Sequence, residues 1–428
     1  MSSLSRLAVI GLGYVGLPTA ACLAGAGLDV IGVDIDPVIV EQVNRGEAPA
    51  GEPGLAEAVN RAVADGRLKA STQVAPADGY IIAVPTPLAA GCTVGTPDVS
   101  CVDATVATVA SVLGEGEIVV IESTVPPGTT RRVGALIAAQ RPDLRLPGAD
   151  EVHRPLTSDL ATADVAVAHC PERVLPGRVM TEIAANDRLI GGLTPDCTRR
   201  AAAIYQTFCT GELTLTDADS AEMAKLAENA YRDVNIAFAN ELANVCDQLG
   251  LDIWHVREIA NKHPRVNILR PGPGVGGHCV AVDPWFIADA APGGTPLIQA
   301  ARAVNDGRPE RVASQIAAAA RKAGAHRIGV LGLTFKADVA DLRGSPAVGV
   351  TRRIAAELPE VTILVADPFV ISLPAALAGL ANVVLASTEQ AMRDAELIAL
   401  LTDHASFRSV APADLAGKAV LDTRGIWR

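Results

Sequence analysis

The 428 residues predict an α/β protein, with two Rossmann-like, doubly wound domains joined by a central helical domain that contains a long helix. Three observations carry that expectation. Short apolar strands alternate with helical stretches through the first part of the chain. A second strand–helix series begins near residue 325 and repeats features of the first. Between the two lies a stretch of about 30 residues rich in Ala, Leu, Met and Glu, all strong helix formers. The expected domains are 1–205, 206–318 and 319–428.

The elements follow in order. Residues 7–10 form an apolar strand, 18–26 a helix and 30–33 a second strand. Residues 79–84 and 118–122 are further buried strands, each running into a loop with Pro, Thr or Ser. Residues 140–165 are Pro-, Asp- and Gly-rich and read as an excursion before a strand at 165–169. Asp219 with Glu222 makes a capping box for the long helix, and Gly250 makes its stop. At about 45 Å that helix exceeds what one small domain needs, so it joins domains and packs in a dimer interface. Further on, Val330-Leu331-Gly332-Leu333-Thr334-Phe335-Lys336-Ala337 lines up with Val9-Ile10-Gly11-Leu12-Gly13-Tyr14-Val15-Gly16. Val365-Ala366-Asp367-Pro368 echoes Asp34-Ile35-Asp36-Pro37. Thr334 and Ala337 replace two glycines and Lys336 adds a charge, so the second domain is expected to hold a different phosphorylated ligand.

Composition narrows the class. The chain is 49% hydrophobic and 3% aromatic, which suits close helix-on-sheet packing. Its net charge is -12, with Lys and Arg scattered singly, so no nucleic-acid partner is expected. Eight cysteines show no CxxC pair and no His–Cys metal spacing. A cytoplasmic protein without a metal centre follows. Residues 7–28 carry no charge and could span a bilayer, but glycines and a proline divide them into strand, turn and helix. No membrane association is expected.

Gly11, Gly13 and Gly16 follow a strand and open a helix. That context predicts a dinucleotide, with its pyrophosphate on the turn. Asp34 stands 18 residues after Gly16, where an acid accepts ribose hydroxyls and repels a 2′-phosphate. The cofactor is therefore NAD. Thr86, in Pro85-Thr86-Pro87, and Thr124, in Glu122-Ser123-Thr124-Val125-Pro126-Pro127-Gly128, end later strands. They face the cofactor or a catalytic water, or serve as ordinary turn residues.

Lys225, Asn229 and Arg232 sit at i, i+4 and i+7 on one helix face. Lysine and asparagine together stabilise an oxyanion, although a solvated polar stripe gives the same spacing. In Cys170-Pro171-Glu172-Arg173-Val174, Glu172 is a candidate base for a hydrolytic water and Arg173 a candidate phosphate or carboxylate contact. A helix N-terminal acid would explain Glu172 equally well.

The segment Pro271-Gly272-Pro273-Gly274-Val275-Gly276-Gly277-His278-Cys279 delivers one cysteine on a loop unlike a packed core element, and Asp283 follows four residues later. Adding a thiolate to an aldehyde gives a thiohemiacetal. Loss of hydride then leaves a thioester that water hydrolyses. Asp283 is placed to orient a water or the lysine, and His278 is structural. A nicotinamide fold with one poised thiol points to an oxidation that passes the aldehyde.

Together these segments resemble the UDP-glucose/GDP-mannose dehydrogenase family over essentially the whole chain. Further matching motifs are Asp98-Val99-Ser100, Val304-Asn305-Asp306 and Phe335-Lys336. The resemblance implies an NAD-dependent, four-electron oxidation of the C6 hydroxyl of a UDP-sugar. It makes Cys279 the nucleophile and assigns the oxyanion to Lys225 and Asn229. Glu172, Asp283 and Thr124 would handle acid–base work and water. Gly11, Gly13, Tyr14, Val15, Gly16, Asp34, Thr86, Thr124 and Arg343 would bind the cofactor. The UDP-sugar would meet Arg173, Val174, Lys225, Asn229, Arg232, Gly276, Phe335, Lys336 and Arg424. His263 and Arg265 would reach it across a homodimer.

One position departs from the family's UDP-glucose enzymes, which commonly carry a second glutamate where Pro176 stands. The resemblance therefore makes UDP-N-acetyl-D-mannosamine the leading substrate, ahead of UDP-N-acetylglucosamine and UDP-glucose. A two-electron 3-hydroxyacid-type dehydrogenase and a non-catalytic NAD- and nucleotide-sugar-binding protein are the rivals from other classes.

Overall fold

A computed structural model describes residues 4–49, 52–89, 95–147, 163–175 and 177–428. Pro176 and most of the excursion expected at 140–165 lie outside the described residues. The chain divides into two compact units. The first is Met1–Glu228 with Trp285–Pro292, and the second is Asn229–Pro284 with Gly293–Arg428.

The first unit is built on eight strands: β1 (Arg6–Ile10), β2 (Asp29–Val33), β3 (Leu68–Ser71), β4 (Gly79–Ile82), β5 (Ile118–Ile121), β6 (Ala166–His169), β7 (Arg188–Gly192) and β8 (Leu213–Asp217). They lie in the order β3-β2-β1-β4-β5-β6-β7-β8. All neighbours pair in parallel except β6 and β7. Central strands such as Ile118–Ile121 are buried at every position because both faces of a parallel sheet are covered. Alternate residues feed two cores: Leu7, Val9 and Ile81 face one layer, and Ala8, Ile10 and Ile82 the other. Strand 79–84 stops two residues early, at Ile82, ahead of Pro85.

Because β1, β4, β5 and β6 are parallel neighbours, the segments that follow them leave from one edge of the sheet. Those segments hold the Gly11 turn, Thr86, Thr124 and Glu172. Gly11 has φ +92, and its N–H donates to the Val33 carbonyl at 2.7 Å. A Cβ on Gly16 would overlap the Gly11 carbonyl oxygen, whereas one on Gly13 would meet no protein atom within 4 Å. Gly16 is thus required by the fold, while the space over Gly13 is open to a ligand.

The second unit carries β9 (Arg327–Leu331), β10 (Thr362–Ala366), β11 (Val383–Leu385), β12 (Leu397–Leu400) and β13 (Ala419–Asp422). Their order, β11-β10-β9-β12-β13, repeats β3-β2-β1-β4-β5. The echo extends to single bonds. The Gly332 N–H donates to the Ala366 carbonyl at 2.8 Å, as Gly11 does to Val33. Asp367 accepts from the N–H groups of Leu333 and Thr334 at 2.7 and 3.0 Å, as Asp34 accepts from Leu12 at 2.8 Å. Thr334 supplies the difference. Its hydroxyl bonds the Lys336 carbonyl at 3.0 Å and lies 3.1 Å from the buried His404 ring, so this turn is closed from within.

The long helix runs from Ala218 to Leu249, 32 residues. Gly250, at φ +68, ends it, with the Leu251 N–H returning to the Cys246 carbonyl at 2.9 Å. The expected capping box at Asp219 and Glu222 is not formed. Asp217 does the capping, accepting from the Ser220 N–H at 2.9 Å. Asp219 pairs with Arg131. Glu222 accepts from Gly128 N, Thr130 N and Thr130 Oγ at 2.6, 2.7 and 2.6 Å. It thereby caps a different helix, Thr129–Gln140, whose own cap position is the side-chain-free Gly128. Among the described residues no helix is long and apolar enough to cross a membrane, and no cluster could hold a metal ion.

Gly16→Ala is expected to lower the unfolding free energy by about 1–3 kcal/mol in a urea titration, because backbone atoms cannot yield to the added methyl. Gly13→Ala is expected to cause no such loss.

Candidate active site

At the sheet edge of the first unit, side chains bind the strand-end loops to one another. The Thr86 hydroxyl donates to the Thr124 carbonyl at 2.7 Å, and Ser123 Oγ donates to the Val84 carbonyl at 2.7 Å. Thr86 therefore holds the segment that presents Thr124. Tyr14 donates to Glu52 at 2.9 Å, and Glu52 also accepts from the N–H groups of Gly177 and Val179 at 2.7 and 3.2 Å. Glu52, which sequence patterning passes over, ties the glycine turn to the loop beyond Glu172. Val15 sits at the N-cap of helix Gly16–Gly25 with no side-chain cap bond, so the helix N-terminus faces the open space over Gly13. A dinucleotide pyrophosphate fits that arrangement. The Asp34 carboxylate stands after β2 and braces the Leu12 and Asp36 N–H groups.

Glu172 is buried, and its Oε2 accepts from the Val174 N–H at 3.1 Å. Burial holds its carboxyl above the usual carboxylate range, against the pull of Arg188 and Lys225. Val174 thus acts through its backbone N–H. Lys225 is buried, which rules out a solvated stripe for the first member of the 225–229–232 face. Arg232, two turns later on the same face, is exposed. Beside Lys225, burial pushes His169 down to about 3, with the lysine charge adding to the effect.

Behind Glu172 lies a pair not singled out from sequence. Arg188 opens the otherwise apolar β7 and is buried against Glu122 at 3.3 Å. Tyr205 and Phe208 stack on its guanidinium, with ring centres 4.9 and 5.4 Å away. Burial pushes Glu122 up to about 7, with Arg188 opposing and Glu172 reinforcing the shift. One buried cation therefore serves two carboxyls, Glu122 and Glu172. A charged residue starting a buried strand was the available signal. The Arg173 fork is closed on Glu228 (Nε to Oε2 at 3.0 Å) and on the Asp187 carbonyl at 3.1 Å.

In the second unit, Pro271, Gly272 and Pro273 are buried, and the loop rises to an exposed His278 and Cys279. Its glycines answer to packing. A Cβ on Gly276 would fall 2.7 Å from Pro346 and 2.9 Å from Phe335, and one on Gly277 would fall 3.0 Å from the Phe335 ring. The N–H groups of Val282 and Asp283 return to the Cys279 carbonyl at 3.0 and 2.9 Å, so Cys279 and Asp283 share one helical turn. Asn229 donates to the buried Asp283 carboxylate at 2.6 Å.

Gly276, Phe335 and Arg424 thus gather on this loop. Arg424 abuts Gly272 and donates to Asp403 at 2.9 Å, and Lys336 is half-buried next to Phe335. Arg343 forms a two-pronged pair with Asp341, at 3.0 and 2.7 Å. His263 and Arg265 are exposed, joined by an Arg265 N–H to His263 Nδ1 bond of 3.3 Å.

Residues 5–209 match the NAD binding domain of the UDP-glucose/GDP-mannose dehydrogenase family. Residues 219–307 match its central domain and 329–428 its UDP binding domain. A UDP-N-acetyl-D-mannosamine dehydrogenase of Yersinia pestis is 46% identical over 435 residues, covering 100% of both chains. An NDP-N-acetyl-D-galactosaminuronic acid dehydrogenase of Ralstonia nicotianae is 47% identical over 421 residues, 98% of this chain and 96% of the relative. The solved UDP-D-ManNAc dehydrogenase of Pyrococcus horikoshii has a TM-score of 0.84 and 35% identity, covering 99% of this chain and 96% of its own. With its two Rossmann-like sheets, its long helix and all three domains matched in order, the chain belongs to the UDP-glucose/GDP-mannose dehydrogenase family of NAD-dependent sugar-nucleotide dehydrogenases.

Proposed function

We propose that this enzyme oxidises the C6 hydroxyl of UDP-N-acetyl-D-mannosamine to the carboxylate through a covalent Cys279 intermediate. The observation that carries the reading is the exposed Cys279 on a glycine loop, one helical turn from an Asp283 that is locked to Asn229. NAD, when bound over Gly13, supplies the acceptor for the hydride in each of the two oxidations. The Cys279 thiolate adds to the aldehyde carbon. Lys225 and Asn229 hold the oxygen that becomes negative, and Asp283 fixes the asparagine amide so that its N–H points to that oxygen. Loss of hydride from the resulting thiohemiacetal leaves a thioester. Water then attacks its carbonyl carbon, its proton going to Glu172 with Thr124 orienting the water, and the C–S bond breaks to return the Cys279 thiolate and release the carboxylate. Asp34, the Gly11 turn and Arg343 bind the cofactor. Gly276, Phe335, Lys336 and Arg424 bind the UDP-sugar, and Arg173 exchanges Glu228 for it. The corresponding domains are 1–205 for NAD, 206–318 for the helical centre and 319–428 for the UDP-sugar.

The choice of sugar rests on the match to mannosamine dehydrogenases along the whole chain. A galacto-configured N-acetyl sugar is the second reading, supported by the equally similar Ralstonia relative. The working form is a cytoplasmic homodimer. Tyr231, Phe238 and Val245 recur every seven residues along the long helix and are 73%, 53% and 43% exposed, an apolar stripe that a second copy would cover. The exposed His263 and Arg265 would serve the partner's sugar. The cysteines of the described residues are all free thiols, in keeping with a reducing compartment.

Assayed by NADH release over a panel of UDP-sugars, the enzyme is expected to yield two NADH per UDP-N-acetyl-D-mannosamine and little with UDP-glucose. One NADH per sugar contradicts the four-electron reading. Cys279→Ala is expected to abolish uronate formation, and undiminished uronate from that variant removes the thiol from the mechanism. Glu172→Gln is expected to slow turnover about 10²–10⁴-fold. The base works deprotonated and its pKa is raised, so the wild-type rate is expected to fall as pH drops through a range above that of ordinary carboxylates. A rate that stays flat there excludes Glu172 as the base.

A further inference from the structure

A buried run of hydrogen bonds crosses the second unit and takes no part in the chemistry above. Arg302 donates to Asp233 Oδ1 at 2.7 Å. The Asn305 amide nitrogen donates to the same oxygen at 2.8 Å and to the Asp233 carbonyl at 3.0 Å. The Asn240 amide nitrogen donates to Asn305 Oδ1 at 2.9 Å. The run ends on the cysteine loop, where the Gly272 N–H donates to Asn240 Oδ1 at 2.9 Å and Arg308 Nε donates to the Gly272 carbonyl at 2.9 Å. Asp233, Asn240 and Asn305 are at most 1% exposed, so water is no substitute partner.

The order of atoms is forced. Gly272 offers only an N–H here, so Asn240 must present its oxygen and turn its nitrogen to Asn305. Asn305 must then present its own oxygen and turn its nitrogen to Asp233. Reversing either amide sets donor against donor or acceptor against acceptor.

The placement gives the run a purpose. Asn229, Asp233 and Asn240 lie at i, i+4 and i+11 on one face of the long helix. Asn240 holds the loop at Gly272, and Asn229 holds it at Asp283. One rigid helix, over about 16 Å, thus grips both ends of a loop that has few side chains of its own. We propose that Asn240 and Asn305 are positioning residues that set the Cys279 thiol, Asn305 acting through Asn240 without touching the loop. The proposal rests on the reading of Cys279 as the nucleophile.

The test compares the full-length wild type with Asn305→Ala, Asn240→Asp and Arg308→Lys. It measures kcat, the KM for NAD, and the alkylation rate of Cys279 by iodoacetamide, followed on its own peptide by mass spectrometry. Asn240→Asp keeps the oxygen for Gly272 but opposes two oxygens at Asn305. In variants that remain folded, kcat is expected to fall at least about tenfold, and Cys279 alkylation to change severalfold, with the KM for NAD within about twofold. Should Asn305→Ala fail to fold, Arg308→Lys, which keeps the charge but loses the Nε bond, carries the same expectation. Unchanged kcat and alkylation in the folded variants overturn the proposal. Activity in Cys279→Ala would instead refute the nucleophile reading, and the alkylation rates would still report whether the relay sets the loop.

Discussion

A loop of glycine and proline has almost no side chains with which to fix itself, so its position depends on what holds it from outside. That constraint organises the second unit. Phe335 and Pro346 press on Gly276, where no Cβ would fit, and the Phe335 ring lies close against Gly277. The Asn229 amide fastens Asp283, and Asn240 with Arg308 fastens Gly272. The exposed thiol of Cys279 sits between these anchors. The thiol proposed as the nucleophile needs positioning to a fraction of an ångström, and here helix side chains and neighbouring rings supply what the loop sequence lacks.

The first unit poses a different problem: the carboxyl proposed to take a proton from water must stay basic enough to do so. Burial raises Glu172, while Arg188 and Lys225 restrain the rise. Arg188 is itself held by Glu122 and by two aromatic rings. The parallel sheet makes this possible because β1, β4, β5 and β6 end along one edge. Cofactor turn, Thr86, Thr124 and Glu172 therefore come from segments far apart in sequence but adjacent in the sheet.

What could be read from the chain depended on the range of the interaction. The glycine turns were legible because φ and close packing act within a few residues, and Gly332 repeats Gly11 down to its carbonyl partner. The second sheet was legible through that same repetition. Glu222 was misassigned because its partners, Gly128 and Thr130, lie more than ninety residues away and nothing local distinguishes them from a capping box. Nor is anything local able to show that the Arg173 fork closes on Glu228, fifty-five residues away. Helical spacing put Lys225 and Arg232 on one face but could not tell that the first is buried and the second exposed. Asn305 stood out only as part of a motif, since the direction of a buried amide is fixed by tertiary partners.

The covalent intermediate is tested most directly by quenching turnover in acid and mapping the peptides. Wild-type enzyme mixed with UDP-N-acetyl-D-mannosamine and NAD is expected to show the uronyl mass on the peptide containing Cys279, more abundantly in Glu172→Gln. Two NADH formed per sugar with no such adduct on Cys279 at any quench time would contradict the mechanism.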